Sequence, residues 1–147
     1  MTDATKAETP FPFQLEQVLF TKMLVEAVPG HVMKEGLNSL SPSSHIEIEP
    51  IEGETSKYVV SMRTSFNKEG SVDAPYIVEM HCMSVFAVDA NSLSKEETMR
   101  GLTITGHNVL YAATREAIGW LSGRQPYGPL ILGLSVLKPT AAATKQP

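Results

Sequence analysis

The sequence predicts an α+β domain, a four-stranded antiparallel sheet packed by one long C-terminal helix. Three observations carry this. The first half runs in period two between turn residues, and the chain after residue 92 changes to helical spacing. Short turns separate the second, third and fourth apolar runs, so those strands should pair antiparallel. Neither a repeat nor a long linker divides residues 13–138, and 147 residues suit one domain. The polar stretches 1–12 and 139–147 are expected to be flexible tails.

The first strand opens at Phe13-Gln14-Leu15-Glu16, which alternates cleanly. Val18, Leu19 and Phe20 then break the phase, which predicts a β-bulge, because one extra residue swaps the faces. The extended segment continues to about Glu26, Pro29-Gly30 breaks it, and 31–43 reads as a loop. The second strand is 44–49, with Ile46 and Ile48 on one face and Glu47 and Glu49 on the other. Glu52-Gly53-Glu54 turns the chain into 57–66, whose set Tyr58, Val60, Met62, Thr64 and Phe66 suits a core. The fourth strand spans about 75–88. Val78, Met80, Cys82, Ser84 and Phe86 share one face, and Ile77, Glu79, His81, Met83 and Val85 the other.

A helix start is marked by Ser92 or Ser94 before Lys95-Glu96-Glu97, an N-cap followed by acids. Gly101 and Gly106 are expected to interrupt it, so that the main helix runs from an Asn108 cap to about Leu121. Its apolar surface is wider than one stripe, which suggests cover by its own sheet and by a second copy. Leu110, Tyr111, Ala117, Ile118, Trp120 and Leu121 are the residues expected at that oligomer interface. Gly123, Pro126 and Pro129 end the helix.

The composition excludes several functions. A net charge of −4 lacks the basic footprint of a nucleic-acid coat. No apolar run reaches the roughly 18 residues that span a bilayer, and the N-terminal residues lack a signal-peptide core. A cytoplasmic protein without direct membrane insertion is expected. With Cys82 as the one cysteine, disulfides within the chain and CxxC metal sites are impossible. His81 and Cys82 are adjacent on a strand and point to opposite faces, so they cannot pair as a dyad. His31, His45 and His107 read as surface or loop residues. No metal-ligand spacing and no phosphate-binding glycine loop occurs, so no catalytic residue, metal or cofactor is expected.

Binding is better supported than catalysis. Ile46 and Ile48, with Met23, Val25, Met33 and Met83, offer a candidate apolar groove with adaptable methionines. Glu47, Glu49, Glu52 and Glu54 form an acidic run, read first as a solvated face and second as a docking surface.

The run from His107 to Ile118, His-Asn-Val-Leu-Tyr-Ala-Ala-Thr-Arg-Glu-Ala-Ile, is followed by Arg124, Pro126-Tyr127 and Leu130-Ile131-Leu132. It resembles the bacterial protein-export chaperone family SecB. Upstream, Phe13-Gln14, Phe20-Thr21-Lys22, Glu26-Ala27 and His31-Val32 are similar to the family's first strand and loop, and Val78-Glu79-Met80 and Val85-Phe86 to its last strand. The similarity covers roughly 13–137.

The resemblance implies a homotetramer, a dimer of dimers, that binds unfolded client polypeptides without ATP. It also implies delivery to the translocation ATPase SecA, with Glu79 and, across a one-residue deletion, Glu26 as docking acids. Met23 stands where the family has another docking acid, and the second helix and the acidic C-terminus of the family have no counterpart. The lost acid at Met23 favours an alternative, and the retained Glu79 argues against it: a SecB-like chaperone dedicated to one client, such as an antitoxin, and not coupled to export. Two rivals lie outside the family, a small-molecule-binding or enzymatic domain and an interaction module for one folded partner.

Overall fold

The computed structural model describes residues 11–32, 42–69, 74–133 and 135. Both expected tails fall almost wholly outside these residues, as do Met33 and most of the 31–43 loop. Among the described residues four strands are followed by one helix: β1 (Phe13–Ala27), β2 (Ser43–Pro50), β3 (Lys57–Phe66), β4 (Tyr76–Val88) and α1 (Lys95–Ser122). The strands form one antiparallel sheet in the order β1-β4-β3-β2. The α+β class, the strand count and the single long helix are as the sequence predicts.

β1 carries two irregularities against β4, between Leu15 and Gln17 and between Phe20 and Lys22. Each inserts one residue and swaps the faces. That is why Leu15, Val18, Phe20, Met23 and Val25 share one side although their spacing is uneven. Directly paired residues of a ladder lie on one face, so the register sorts the whole sheet. The side toward α1 takes these residues with Ile46, Ile48, Val60, Met62, Thr64 and the even-numbered residues of β4. The other side takes Leu19, Lys22, Leu24, Glu26, Arg63, Ile77, Glu79, His81, Met83 and Val85.

The core lies between the first side and α1. Val60, Met62, Val78, Met80 and Phe86 meet Leu102, Leu110 and Ile118, all buried. Fully burying each such side chain contributes about 1.5–3 kcal/mol. The hydroxyls and the thiol of this core are partnered: Ser84 donates to the Val60 carbonyl at 3.1 Å, and Cys82 Sγ lies 3.4 Å from Thr114 Oγ1.

α1 is one uninterrupted helix of 28 residues. Ser94 caps it, accepting from the Glu97 amide at 3.1 Å, with Glu96 and Glu97 in the first turn complementing the helix dipole. This corrects the expected start at Asn108, which is an exposed residue within the helix. Gly101 and Gly106 do not break α1, because side chains of the sheet fill the space a Cβ would take at each. A Cβ at Gly101 would lie 2.1 Å from the tip of the Phe13 ring, and one at Gly106 2.6 Å from Val60 Cγ1. Packing against Phe13 and Val60 outweighs the roughly 1 kcal/mol that each glycine costs a helix.

After Ser122 the chain turns through Gly128, whose φ of +75° suits glycine, and runs back along α1. Tyr76 anchors the turn by donating to the Gly128 carbonyl at 2.6 Å. Tyr127 donates to the Val28 carbonyl and accepts from the His31 amide. The helix end, β1 and β4 are thereby tied at one corner. No helix among the described residues is long and apolar enough to cross a membrane.

Candidate functional site

Three surfaces are built on this frame. The first is the sheet face turned away from α1. Half-buried Leu19, Leu24, Ile77, Met83 and Val85 form its centre. Beside them Glu79 is ringed by Lys22, Lys68 and His81. Lys22 Nζ lies 3.0 Å from Glu79 Oε2, and His81 Nε2 and Lys68 Nζ lie 3.2 and 3.7 Å from Oε1. The hydrogen bond from Lys22 holds the Glu79 carboxyl below the usual carboxylate range, with help from the Lys22, Lys68 and His81 charges. The Glu79 side chain is only 12% exposed, whereas Lys22 and Lys68 are 46% and 66% exposed. The acid expected to dock SecA is therefore covered by its own counter-ions. Glu26 is exposed on the same face, opposite Ile77.

The second surface is the layer of α1. Of the six residues expected to line one groove, Met33 lies outside the described residues and the other five are separated in the fold. Ile46 and Ile48 sit on β2, at one edge of the sheet, half-buried against the core. Met23 and Val25 sit on β1 at the opposite edge, Met23 being 49% exposed. Met83 is on the other face of the sheet, because the odd-numbered residues of β4 point away from α1. No single groove within one chain holds all five.

The expected oligomer interface divides in the same way. Leu110, Tyr111 and Ile118 are buried on the sheet side of α1 and belong to the chain's own core, with Ala117 packed beside them. Trp120 and Leu121 are exposed, Trp120 by 80%. Leu15, Val18 and Met23 of β1 are exposed apolar residues on this same side of the sheet. β1 is also an edge strand of 15 residues, and among the described residues no strand pairs with its outer side.

The third surface is the seam between α1 and the returning segment after Gly128. Tyr111 Oη donates to the Gly133 carbonyl and Arg115 Nε to the Leu132 carbonyl, both at 2.6 Å. Ser122 Oγ accepts from the Leu130 amide at 2.7 Å, and Ser135 Oγ lies 3.3 Å from His107 Nε2. Burial pushes the Tyr111 phenol up, against the opposing influence of Arg115, so it stays protonated and a donor. His107 is buried and stacks on Tyr111 with ring centres 5.5 Å apart, which corrects the surface reading of this histidine. An open groove lined by Asn108, Ala112, Glu116 and Ile131 runs along the outside of the seam. His107, Tyr111, Arg115 and Ser122 recur at helical spacing on one face. That row was the sequence signal for the seam.

Cys82 is buried, and burial pushes its thiol up, against the Thr114 hydrogen bond. A raised pKa makes a poor nucleophile. Among the described residues no group of three or more His, Cys, Asp or Glu side chains is placed to hold a metal ion. Glu47 lies 3.3 Å from His45, and Glu47, Glu49, Glu52 and Glu54 are all exposed.

No family model matches the sequence, and no curated protein matches it. A solved structure does match: the Mycobacterium tuberculosis SecB-like chaperone Rv1957 in complex with a ChAD peptide from the Rv1956 HigA1 antitoxin. The alignment covers 84% of this chain and 91% of that one, with a TM-score of 0.63 at 15% identity. This chain has a SecB-like fold. A protein of unknown function from Streptococcus agalactiae aligns over 83% of this chain and 97% of its own, with a TM-score of 0.49 at 10% identity.

Proposed function

We propose that this SecB-like protein is a non-catalytic, ATP-independent chaperone that holds unfolded client polypeptides. The observation that carries the reading is the apolar surface left open on the layer of α1: Leu15, Val18, Met23, Trp120, Leu121 and Ile131. Large apolar side chains exposed on one side of a fold are the material of interaction surfaces. Two occupants account for it. Further copies cover Trp120, Leu121 and the β1 edge in a homotetramer, a dimer of dimers. Unfolded clients gain about 25 cal/mol for each Å² of apolar surface they bury on what remains open. Several such sites on one assembly make weak contacts multivalent. A cytoplasmic location fits this role.

Two destinations for the clients are compatible with the fold. Delivery to SecA needs acids presented to the receiver, and Glu79 is instead paired with Lys22 and Lys68, with His81 in hydrogen-bonding reach. That observation favours the alternative, a chaperone dedicated to a particular client such as an antitoxin. The likeness to a chaperone solved with an antitoxin peptide supports the same choice.

Fluorescence anisotropy of a labelled, permanently unfolded protein tests the reading. The probe is a disulfide protein kept unfolded by reduction and alkylation; saturable binding of it is expected, with none of its native, unmodified form. Equal binding of folded and unfolded forms would favour an interaction module. Adding purified SecA to the loaded chaperone separates the destinations: the dedicated-client reading expects no ternary complex, and a stable one would restore the export reading.

A further inference from the structure

The seam on α1 has the chemistry of a peptide site that is already filled. Residues 129–133 alternate like an extended strand: Leu130 and Leu132 are buried, and Ile131 is 68% exposed. Their polar anchors reach backbone atoms, not side chains. Arg115 and Tyr111 donate to the carbonyls of residues 132 and 133, and Ser122 accepts from the amide of residue 130. Among the described residues of the segment, the contact between His107 and Ser135 is the one that joins two side chains. Backbone-directed hydrogen bonds do not read sequence, and alternate apolar pockets read only a pattern. Nothing in these contacts is specific to residues 129–133 beyond the two leucines.

We infer that His107, Tyr111, Arg115, Ser122 and the sites of Leu130 and Leu132 form a track for an extended peptide with apolar residues at alternate positions. The chain's own segment occupies this track, and a client segment of the same pattern binds by displacing it. The inference rests on the chaperone reading and names the client chemistry it implies. Self-occupancy keeps two apolar sites dry when no client is present. It also sets client affinity, because the intrinsic affinity is reduced by the fraction of time the track is open.

Two measurements on the full chain test this. Leu132→Ser weakens the segment's hold and leaves every side chain of the track intact. A labelled, permanently unfolded protein should then bind about fivefold more tightly than to the parent, as expected when the open fraction rises. Hydrogen exchange on the parent chain covers the case in which Leu132→Ser does not fold. Saturating unfolded protein should speed exchange of the Leu130 amide, which loses Ser122. Client binding that leaves the Leu130 amide equally or better protected, or that Leu132→Ser weakens, overturns the displacement while the chaperone reading stands. Failure of the parent and of a folded Leu132→Ser variant to bind any unfolded chain overturns both.

Discussion

Gly106→Ala tests the close approach that sets α1 on the sheet. In an open helix the change would stabilise by about 1 kcal/mol, because alanine is the better helix former. Here the new Cβ would stand 2.6 Å from Val60 Cγ1, 3.2 Å from its Cβ and 3.3 Å from its Cγ2. Carbon atoms pack best at about 3.5–4.0 Å, so the deficit is about 1 Å. Val60 is fully buried on a central strand, and its branched side chain has little rotamer freedom. The helix or the strand must therefore move, at an overpacking cost of about 1–3 kcal/mol. Set against the propensity gain, the net loss is about 1 kcal/mol, or about 2–4 °C in Tm for a chain of this size. Urea unfolding at fixed protein concentration measures it, since any oligomer makes stability depend on concentration. Repeating the change in a Val60→Ala background should reverse its sign, for a coupling of about 2 kcal/mol. A Gly106→Ala protein more stable than its parent in both backgrounds would refute the close approach. Gly101→Ala is the control. The atoms it meets are the tip of the half-buried Phe13 ring at the start of β1, which must shift at an overpacking cost of about 1 kcal/mol; that offsets the propensity gain, so a net change within about 0.5 kcal/mol is expected.

Lys22→Met should raise the Glu79 pKa, followed by NMR of the carboxyl carbon. Because the folded value lies below the unfolded one, Glu79 contributes its full stability at neutral pH and loses it as pH falls through the carboxylate range. The variant should show a shallower acid loss of stability than the parent, and identical acid limbs would count against the ion cluster. Tyr111→Phe should cost about 0.5–1.5 kcal/mol through the lost bond to the Gly133 carbonyl, and an unchanged unfolding midpoint would remove that bond from the account. Trp120→Asp should leave the circular dichroism of the chain intact and lower its mass in solution, whereas an unchanged mass would exclude Trp120 from the oligomer interface. Cys82 should resist iodoacetamide in the native protein and react on unfolding, and rapid native labelling would contradict its burial.

Much of the sheet was legible because β2, β3 and β4 are joined by short turns and alternate without error. Even the phase break in β1 marked a bulge. The pairing of β1 with β4 was not legible, since nearly fifty residues and no turn separate them. The two helix glycines were misread for a physical reason. Propensity counts their cost, but the gain lies in contacts with Phe13 and Val60, which are far away in sequence. The interface residues failed similarly. Apolar residues around a helix show that more than one side is covered, but not which side meets the chain's own sheet. Leu110 and Ile118 went inward, and Trp120 stayed outside. Among the site residues, Glu79 was legible as an acid on the open face, but its neutralisation depends on Lys22 from β1 and Lys68 from a hairpin. The groove residues could not be assembled without the strand order, which sends β1 and β2 to opposite edges.

The central claim is that this fold binds chains that have lost their own. Light scattering of the purified protein, alone and with a permanently unfolded protein in excess, tests it most directly. The account predicts a mass near four times the 16.0 kDa chain, which rises when the reduced and alkylated, unfolded protein is added and stays constant when its native, unmodified form is supplied. A monomer whose mass is indifferent to unfolded chains would contradict it.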